Sequence, residues 1–339
     1  MVLGFIFSII VSVLFAVYAV PRKFSEQNVI LYTMWMGIAY FICAIVLVSI
    51  VWGFGFEQPE NLLNPWHLLT VLRGFVWVLG MAAYNYAIDN LGLVRFNQWK
   101  NIQGPVGSLL ILLIVVSSLG LDISGMKLLY LLLGMIVMFL SAMLFQVKTD
   151  AEKGPNIKNG TKLGIVCALF SGICFGVTAL LNNIVSRPTI VGELFTYAQL
   201  LYHSASLIVF SAIIYIIVGT KSNEPSTIRQ RFEDIIKVDK KTWLPFTAGA
   251  MFLIATLLTI YSYRLIDNGA IPWSIMQFNV FWTVLIGIFV FKEASFKQYW
   301  LRFTAGTIMA VSACVLLFFA IVVKSMASLS PPNSYLIPF

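Results

Sequence analysis

Polar side chains that could bind a small molecule are concentrated in one otherwise apolar segment, residues 93–118. Its run Asn97-Gln98-Trp99-Lys100-Asn101-Ile102-Gln103 combines amides, an ammonium group and an indole ring. On a helix, Asn97 and Asn101 are four residues apart and share a face, and Lys100 and Gln103 lie beside them. Such donors and acceptors with an adjacent ring suit a hydroxylated molecule. We therefore expect Asn97, Trp99, Lys100, Asn101 and Gln103 to form part of a substrate site.

A structural interpretation of the same cluster remains open. Lys100 lies about seven residues into the segment, or roughly 10 Å along a helix, so its side chain is long enough to extend to the membrane interface. The amides can equally bond to neighbouring helices. Pro105 lacks a backbone N–H, so we expect the helix to bend there and to free carbonyl groups.

His203 is the candidate for carrying a proton. It lies near the middle of a second apolar segment, residues 191–219. Imidazole exchanges a proton near neutral pH, so His203 can couple transport to protons. The alternative is a neutral histidine bonded to a neighbouring helix. Arg73, in the segment 67–90, is expected to pair or to extend to the interface rather than to bind substrate.

The elements that must position these residues are apolar. Hydrophobic residues make up 60% of the 339 and charged residues only 11%, whereas soluble domains are about 25% charged. The apolar residues fall in blocks of about 20, which is long enough to cross a hydrocarbon core. The sequence predicts an all-α, polytopic membrane protein with ten transmembrane helices: 2–20, 29–51, 67–90, 93–118, 124–147, 162–186, 191–219, 243–267, 270–292 and 297–323.

Short matches between the two halves indicate a duplication. Residues 15–19 resemble 175–179, residues 84–86 resemble 261–263, and residues 134–136 resemble 306–308, in the same order. Five spans per copy force the second copy to be inverted, a recurring plan of secondary transporters. The predicted units are a first repeat (1–147), a cytoplasmic linker (148–161), a second repeat (162–323) and a C-terminal tail (324–339).

The ninth span is the counterpart of the fourth in this scheme. Its polar and aromatic residues Gln277, Asn279 and Trp282 are therefore expected to approach Asn97 and Asn101 near the middle of the membrane. Aromatic packing is the alternative for Trp282.

The formal net charge of +8 reflects membrane topology rather than nucleic-acid binding. The basic residues are concentrated in the loops after spans 1, 5, 7 and 9, which the positive-inside bias places in the cytoplasm, with both termini outside. The loop 218–242 contains apolar residues spaced for one face of a short amphipathic helix: Ile228, Phe232, Ile235 and Ile236. Such a helix would lie at the membrane interface, and the alternative is a plain solvated loop. A multi-pass protein of an inner or plasma membrane is expected.

Signatures of catalysis are lacking in the sequence. It contains no H-E-x-x-H or G-x-S-x-G motif, and the phosphate-loop pattern G-x-x-x-x-G-K-[ST] is not matched. Two histidines cannot form a metal site by themselves. We therefore expect neither enzymatic activity nor a cofactor.

The chain resembles the drug/metabolite transporter superfamily, and within it the sugar-porter branch that includes the rhamnose–proton symporter and the glucose/ribose porters. The resemblance is carried by Tyr18 to Lys23, by Tyr32-Thr33-Met34-Trp35, by Asn85-Tyr86 through Leu91-Gly92, and by Val290-Phe291-Lys292-Glu293. The branch usually has a second lysine where Phe24 stands, and its fourth span is rich in small residues rather than bulky polar ones. The resemblance implies gradient-coupled sugar import.

These observations together predict a secondary active transporter of a sugar or similar polar metabolite. It would be driven by protons or another ion and embedded in a lipid bilayer. The alternatives are an exporter of amino acids or drugs, a carrier of sugar phosphates, and a non-transporting scaffold or receptor. A cationic substrate fits poorly, because no carboxylate lies in the middle of a span and Lys100 is positive.

Overall fold

A computed structural model describes residues 1–25, 27–54, 64–91, 96, 99–116, 125–145, 157–187, 196–218, 227–238, 241–266, 268–292 and 296–327. Over these residues the chain is helical, without strands. The helices are α1 (Val2–Val17), α2 (Val20–Phe24), α3 (Val29–Gly53), α4 (His67–Leu91), α5 (Gln103–Leu110), α6 (Gly125–Leu144), α7 (Ile157–Val185), α8 (Thr196–Val218), α9 (Ile228–Ile236), α10 (Trp243–Leu265), α11 (Ala270–Met276), α12 (Asn279–Phe289) and α13 (Phe296–Ala327). A π-helical stretch, Ile111–Val116, continues α5.

Nine helical segments of the described chain are long and apolar enough to cross a membrane. They are Val2–Phe24, Val29–Gly53, His67–Leu91, Gly125–Leu144, Lys162–Val185, Tyr197–Ile217, Trp243–Leu265, Ala270–Phe289 and Tyr299–Val322. The prediction of an all-α, polytopic architecture is thereby confirmed. The orientation of the termini stays a prediction.

The predicted fourth span differs from a single continuous helix. In its place the structure has a shorter apolar helix, Gln103–Ile114. The Gly104 N–H donates to the Asn101 carbonyl over 3.0 Å, and Pro105 has no N–H with which to bond that carbonyl. The backbone therefore tightens before α5 begins.

Two other predicted spans are also interrupted. Val17 ends α1 four residues before Pro21, which cannot donate to the Val17 carbonyl. The ninth span breaks between α11 and α12, where the Gln277 N–H donates to Ser274 over 3.2 Å and the Phe278 N–H to Ile275 over 3.0 Å. These hydrogen bonds join residues three apart rather than four, so the backbone is locally tighter than an α-helix in both the fourth and the ninth span.

The α7 helix begins at Ile157, within the expected linker 148–161, and α13 extends to Ala327, within the expected tail 324–339. The division of the chain into two repeats, a linker and a tail stays a prediction. The amphipathic helix predicted between residues 218 and 242 is confirmed as α9.

The long helices pack in a regular set of pairs. The main pairs are α4 with α7, α6 with α13, α3 with α8, α1 with α10, and α3 with α10. Small residues permit close approach at the crossings: a Cβ at Gly249 of α10 would lie 2.3 Å from the Met36 carbonyl oxygen of α3. A substituent there would push the two helices apart.

Candidate functional site

A buried cavity of about 60 Å³ lies between α1, α4, α5, α7, α8, α10 and α11. The side chains that line it are Phe15, Tyr18, Arg73, Trp77, Lys100, Gln103, Phe175, Thr178, Ala179, Asn182, His203, Phe252, Thr256, Thr259, Tyr263 and Trp273. One water needs about 10–15 Å³ of such space, whereas drug-sized ligands occupy pockets of roughly 300–1,000 Å³. This conformation therefore has room for a few waters, and an organic ligand requires the walls to move.

Arg73 is a charged residue of the cavity wall with unused hydrogen-bond donors. Its side chain, on α4, is 1% exposed. Nη1 donates to Oδ1 of Asn182 on α7, while Nε and Nη2 are buried without a partner among the described residues. Nε and Nη2 form one edge of the planar guanidinium, and such an edge binds a carboxylate or phosphate through two parallel bonds.

Lys100 is the second cation of the cavity wall. The residue is 4% exposed, so its side chain does not extend to the interface as the structural alternative required. Nζ lies 5.1 Å from the Tyr84 ring centroid and 5.5 Å from the Phe175 ring centroid. Ring faces attract a desolvated ammonium group by up to about 2 kcal/mol, which offsets only part of the unfavourable free energy of burying its charge.

The cavity wall thus carries two positive charges at different depths. Arg73 and Tyr84 lie on nearly the same face of α4, eleven residues or roughly 16 Å apart, and the Lys100 ammonium lies beside Tyr84. No described residue of the wall is acidic. Buried charges are normally paired, and the described wall offers neither side chain an acidic partner.

Neutral hydrogen-bonding groups connect the interrupted fourth and ninth spans beside the cations. Gln103 Nε2 donates to Gln277 Oε1 over 2.8 Å. Trp273 Nε1 donates to the Gln103 carbonyl over 3.1 Å, and Gln277 Nε2 donates to the Trp273 carbonyl over 2.9 Å. These bonds fix α5 against α11 and hold Gln103 and Trp273 in the cavity wall.

His203, the residue expected to carry a proton, lines the same cavity. Its Nδ1 lies 3.4 Å from the Tyr40 hydroxyl, and its Nε2 is buried without a hydrogen-bond partner among the described residues. His203 and Arg73 are therefore parts of one site, contributed by α8 and α4.

The remaining predicted residues lie outside the cavity wall. Asn101 and Gln277 border a second space of about 10 Å³. Asn279 is buried and Trp99 is partly buried against the core, while Trp282 donates to Ser12 Oγ over 3.1 Å and packs on Phe278 and Phe281. Asn97 falls outside the described residues.

Of the two expectations for Arg73, extension to the interface is wrong, because the residue is 1% exposed. Pairing is found with the neutral Asn182. The signal was present as a single arginine inside an apolar block, because intramembrane charges line substrate pathways. The aromatic lining, including Trp77 and Phe252, has no such signal because aromatic residues occur throughout the chain.

An aromatic layer separates the cavity from one end of the bundle. Tyr84 stacks on Tyr18 at a centroid distance of 6.1 Å and contacts Phe96 at 4.5 Å and Phe175 at 5.8 Å. Beyond this layer, Arg22 forms an ion pair with Asp89. The aromatic layer and the ion pair both lie on the side of the cavity next to α2.

No family model and no curated protein matches the chain. Among solved structures, the chain is similar to a crystal structure described only as that of a protein, with a TM-score of 0.58 and 13% sequence identity. The likeness covers 96% of this chain and 97% of that chain. At this identity it shows a shared fold over nearly the full length of both proteins.

Proposed function

We propose that this protein is a secondary transporter of a small organic anion, moved across a cell membrane by alternating access. The substrate class is a carboxylate or phosphate ester of a sugar or similar hydroxylated metabolite. The observation that carries the proposal is the pair of buried cations, Arg73 and Lys100, in one cavity whose described wall has no acidic residue. This favours the sugar-phosphate alternative over a neutral sugar and over a cationic drug.

The packing of the helices supports two inverted repeats of five spans. The first repeat comprises α1–α2, α3, α4, α5 with its π-helical continuation, and α6; the second comprises α7, α8, α10, α11–α12 and α13. Exchanging equivalent spans converts the α4–α7 pair into the α10–α1 pair, and it maps α3–α8 and α6–α13 onto themselves. The interrupted spans, α5 and α11–α12, are also equivalent and meet at Gln103 and Gln277. Transporters built this way place the substrate at such interrupted helices.

Different side chains of the cavity can bind different parts of the substrate. The free edge of Arg73 holds the anionic group, Lys100 supplies a second positive point, and Gln103, Thr178 and Thr256 offer donors and acceptors to hydroxyl groups. His203 can carry a coupling proton. Movement of one repeat against the other would separate Tyr18 from Tyr84 and break the Arg22–Asp89 pair, which opens the cavity toward that end.

A ligand-dependent thermal-shift screen tests the proposal. The purified protein would be heated with neutral sugars, sugar phosphates, carboxylates and amino acids, because a ligand that binds the folded state raises its melting temperature. We expect anions to raise the melting temperature. Arg73→Gln and Lys100→Met should each require at least a tenfold higher ligand concentration for the same shift. Arg302→Gln and Lys297→Met, at exposed positions on α13, are the matched controls. Shifts by neutral sugars alone would overturn the anion assignment in favour of a sugar carrier.

Transport is measured with the protein reconstituted in lipid vesicles. An anion identified by the screen would be loaded, radiolabelled, into proteoliposomes containing the wild-type chain or Lys100→Met. Exchange against external unlabelled anion is expected for the wild type only. Binding without exchange in the wild type would overturn the transporter assignment and support a receptor.

A further inference from the structure

The short helix α9 presents three distinct faces. Its apolar residues Ile228, Phe232 and Ile236 recur every four positions and are exposed. At 100° per residue they occupy one sector of about 80°, with Ile235 at its edge. An exposed apolar sector of this kind requires a partner, because water is an unfavourable solvent for it.

A second face holds α9 against the transmembrane bundle. Arg231 Nη1 donates to the carbonyls of Ile216 and Ile217 over 2.6 and 3.1 Å, which belong to the last turn of α8. The Tyr215 hydroxyl donates to Asp234 Oδ2 over 2.9 Å. These bonds satisfy carbonyl groups that a helix end leaves free, so α9 is fixed at the level where the α8 span ends.

The third face is polar and open. Arg229 Nε donates to Glu233 Oε1 over 3.0 Å, and both side chains are exposed. At the N-terminus, Thr227 and Gln230 form a reciprocal capping box, which stabilises the helix independently of any partner. At 100° per residue, the polar face is centred roughly 80° from the apolar face on one side, and the bundle-facing residues roughly 130° from it on the other.

We propose that α9 is an interfacial helix whose apolar face inserts into the boundary between lipid headgroups and acyl chains. A helix lying in that plane has protein on one side, acyl chains below and water above, which matches the three faces. Ile217, in the turn of α8 to which Arg231 bonds, is also apolar and 70% exposed. Trp243, exposed at the start of α10, adds an indole of the kind that prefers this depth.

Anchoring of α9 has a consequence for α8, whichever substrate the cavity takes. Arg231 and Asp234 connect the interfacial helix to the end of the span that carries His203. The membrane surface thereby holds that end of α8 in place. During a conformational change, either α9 moves together with α8 or the bonds made by Arg231 and Asp234 break.

Site-specific fluorescence tests the proposal in lipid nanodiscs of phosphatidylcholine and phosphatidylglycerol. Phe232→Cys and its neighbour Glu233→Cys would be labelled with an environment-sensitive dye, in a background lacking the four native cysteines. We expect blue-shifted emission at position 232 and at least a twofold stronger quenching by shallow doxyl-labelled phospholipids than at 233. Equal emission and quenching at the two positions would overturn the proposal. A shift at 232 that persists in detergent and grows with protein concentration would overturn it in favour of a second copy of the chain.

The unmodified protein offers an independent measurement that does not depend on a cysteine-free background. A phospholipid with a photoactivatable group near its headgroup would be cross-linked to the wild-type chain, and the products mapped to peptides. We expect adducts within residues 228–236. Adducts on the spans but not on this segment would overturn the proposal.

Discussion

Replacing Lys100 with methionine should have opposite effects on stability and on ligand binding. Methionine keeps an unbranched side chain, shorter by the terminal nitrogen, and removes the charge. Placing a lysine at the bilayer centre has an unfavourable free energy of about 2.5–3.5 kcal/mol. Cation–π contacts with ring faces offset about 1–2 kcal/mol of this. The ligand-free Lys100→Met protein should therefore be about 1–2 kcal/mol more stable than the wild type.

The same substitution should weaken anion binding. A hydrogen bond to a charged group contributes about 1.5–3 kcal/mol, which corresponds to roughly a 10- to 150-fold rise in Kd. Thermal unfolding in detergent, with and without the anion, measures both quantities, and Lys297→Met serves as the exposed control. A lower melting temperature of the ligand-free variant together with an unchanged Kd would refute the reasoning, because Lys100 would then be a structural residue.

Three further predictions test other parts of the site. Arg73→Lys keeps the charge but loses the planar edge, so we expect at least a tenfold weaker anion affinity, measured by the same titration. Gln103→Leu or Gln277→Leu alone should lower the free energy of unfolding by about 1–3 kcal/mol, because a buried amide loses its partner. The double variant should lose less than the sum of the two single variants. Additive losses in thermal unfolding would contradict the observed bond. Arg22→Gln should increase alkylation of a cysteine placed at Tyr18 severalfold, and Arg22→Gln with Asp89→Asn should do no more, because either change breaks the same ion pair. Unchanged alkylation would mean that the pair does not close the cavity.

The polar residues of the predicted fourth span show how far sequence reasoning extends. Charge inside an apolar block identified Lys100, and the lack of an N–H on Pro105 predicted the bend. Both are local properties of covalent chemistry and helix geometry. Which neighbours would share a cavity with Lys100 depends on helix rotation, and helical periodicity in a uniformly apolar span does not determine that rotation.

The membrane architecture follows from the sequence alone, because apolar blocks of about 20 residues must bury their backbone hydrogen bonds as helices in a bilayer. Only the tertiary structure placed Arg73 opposite Asn182 and in one cavity with Lys100, and placed Asn279 and Trp282 outside that cavity. These relations join residues that are distant in the chain through the packing of α4, α7 and α10. They depend on side-chain shape at the helix crossings, which a pattern of apolar and polar letters does not encode.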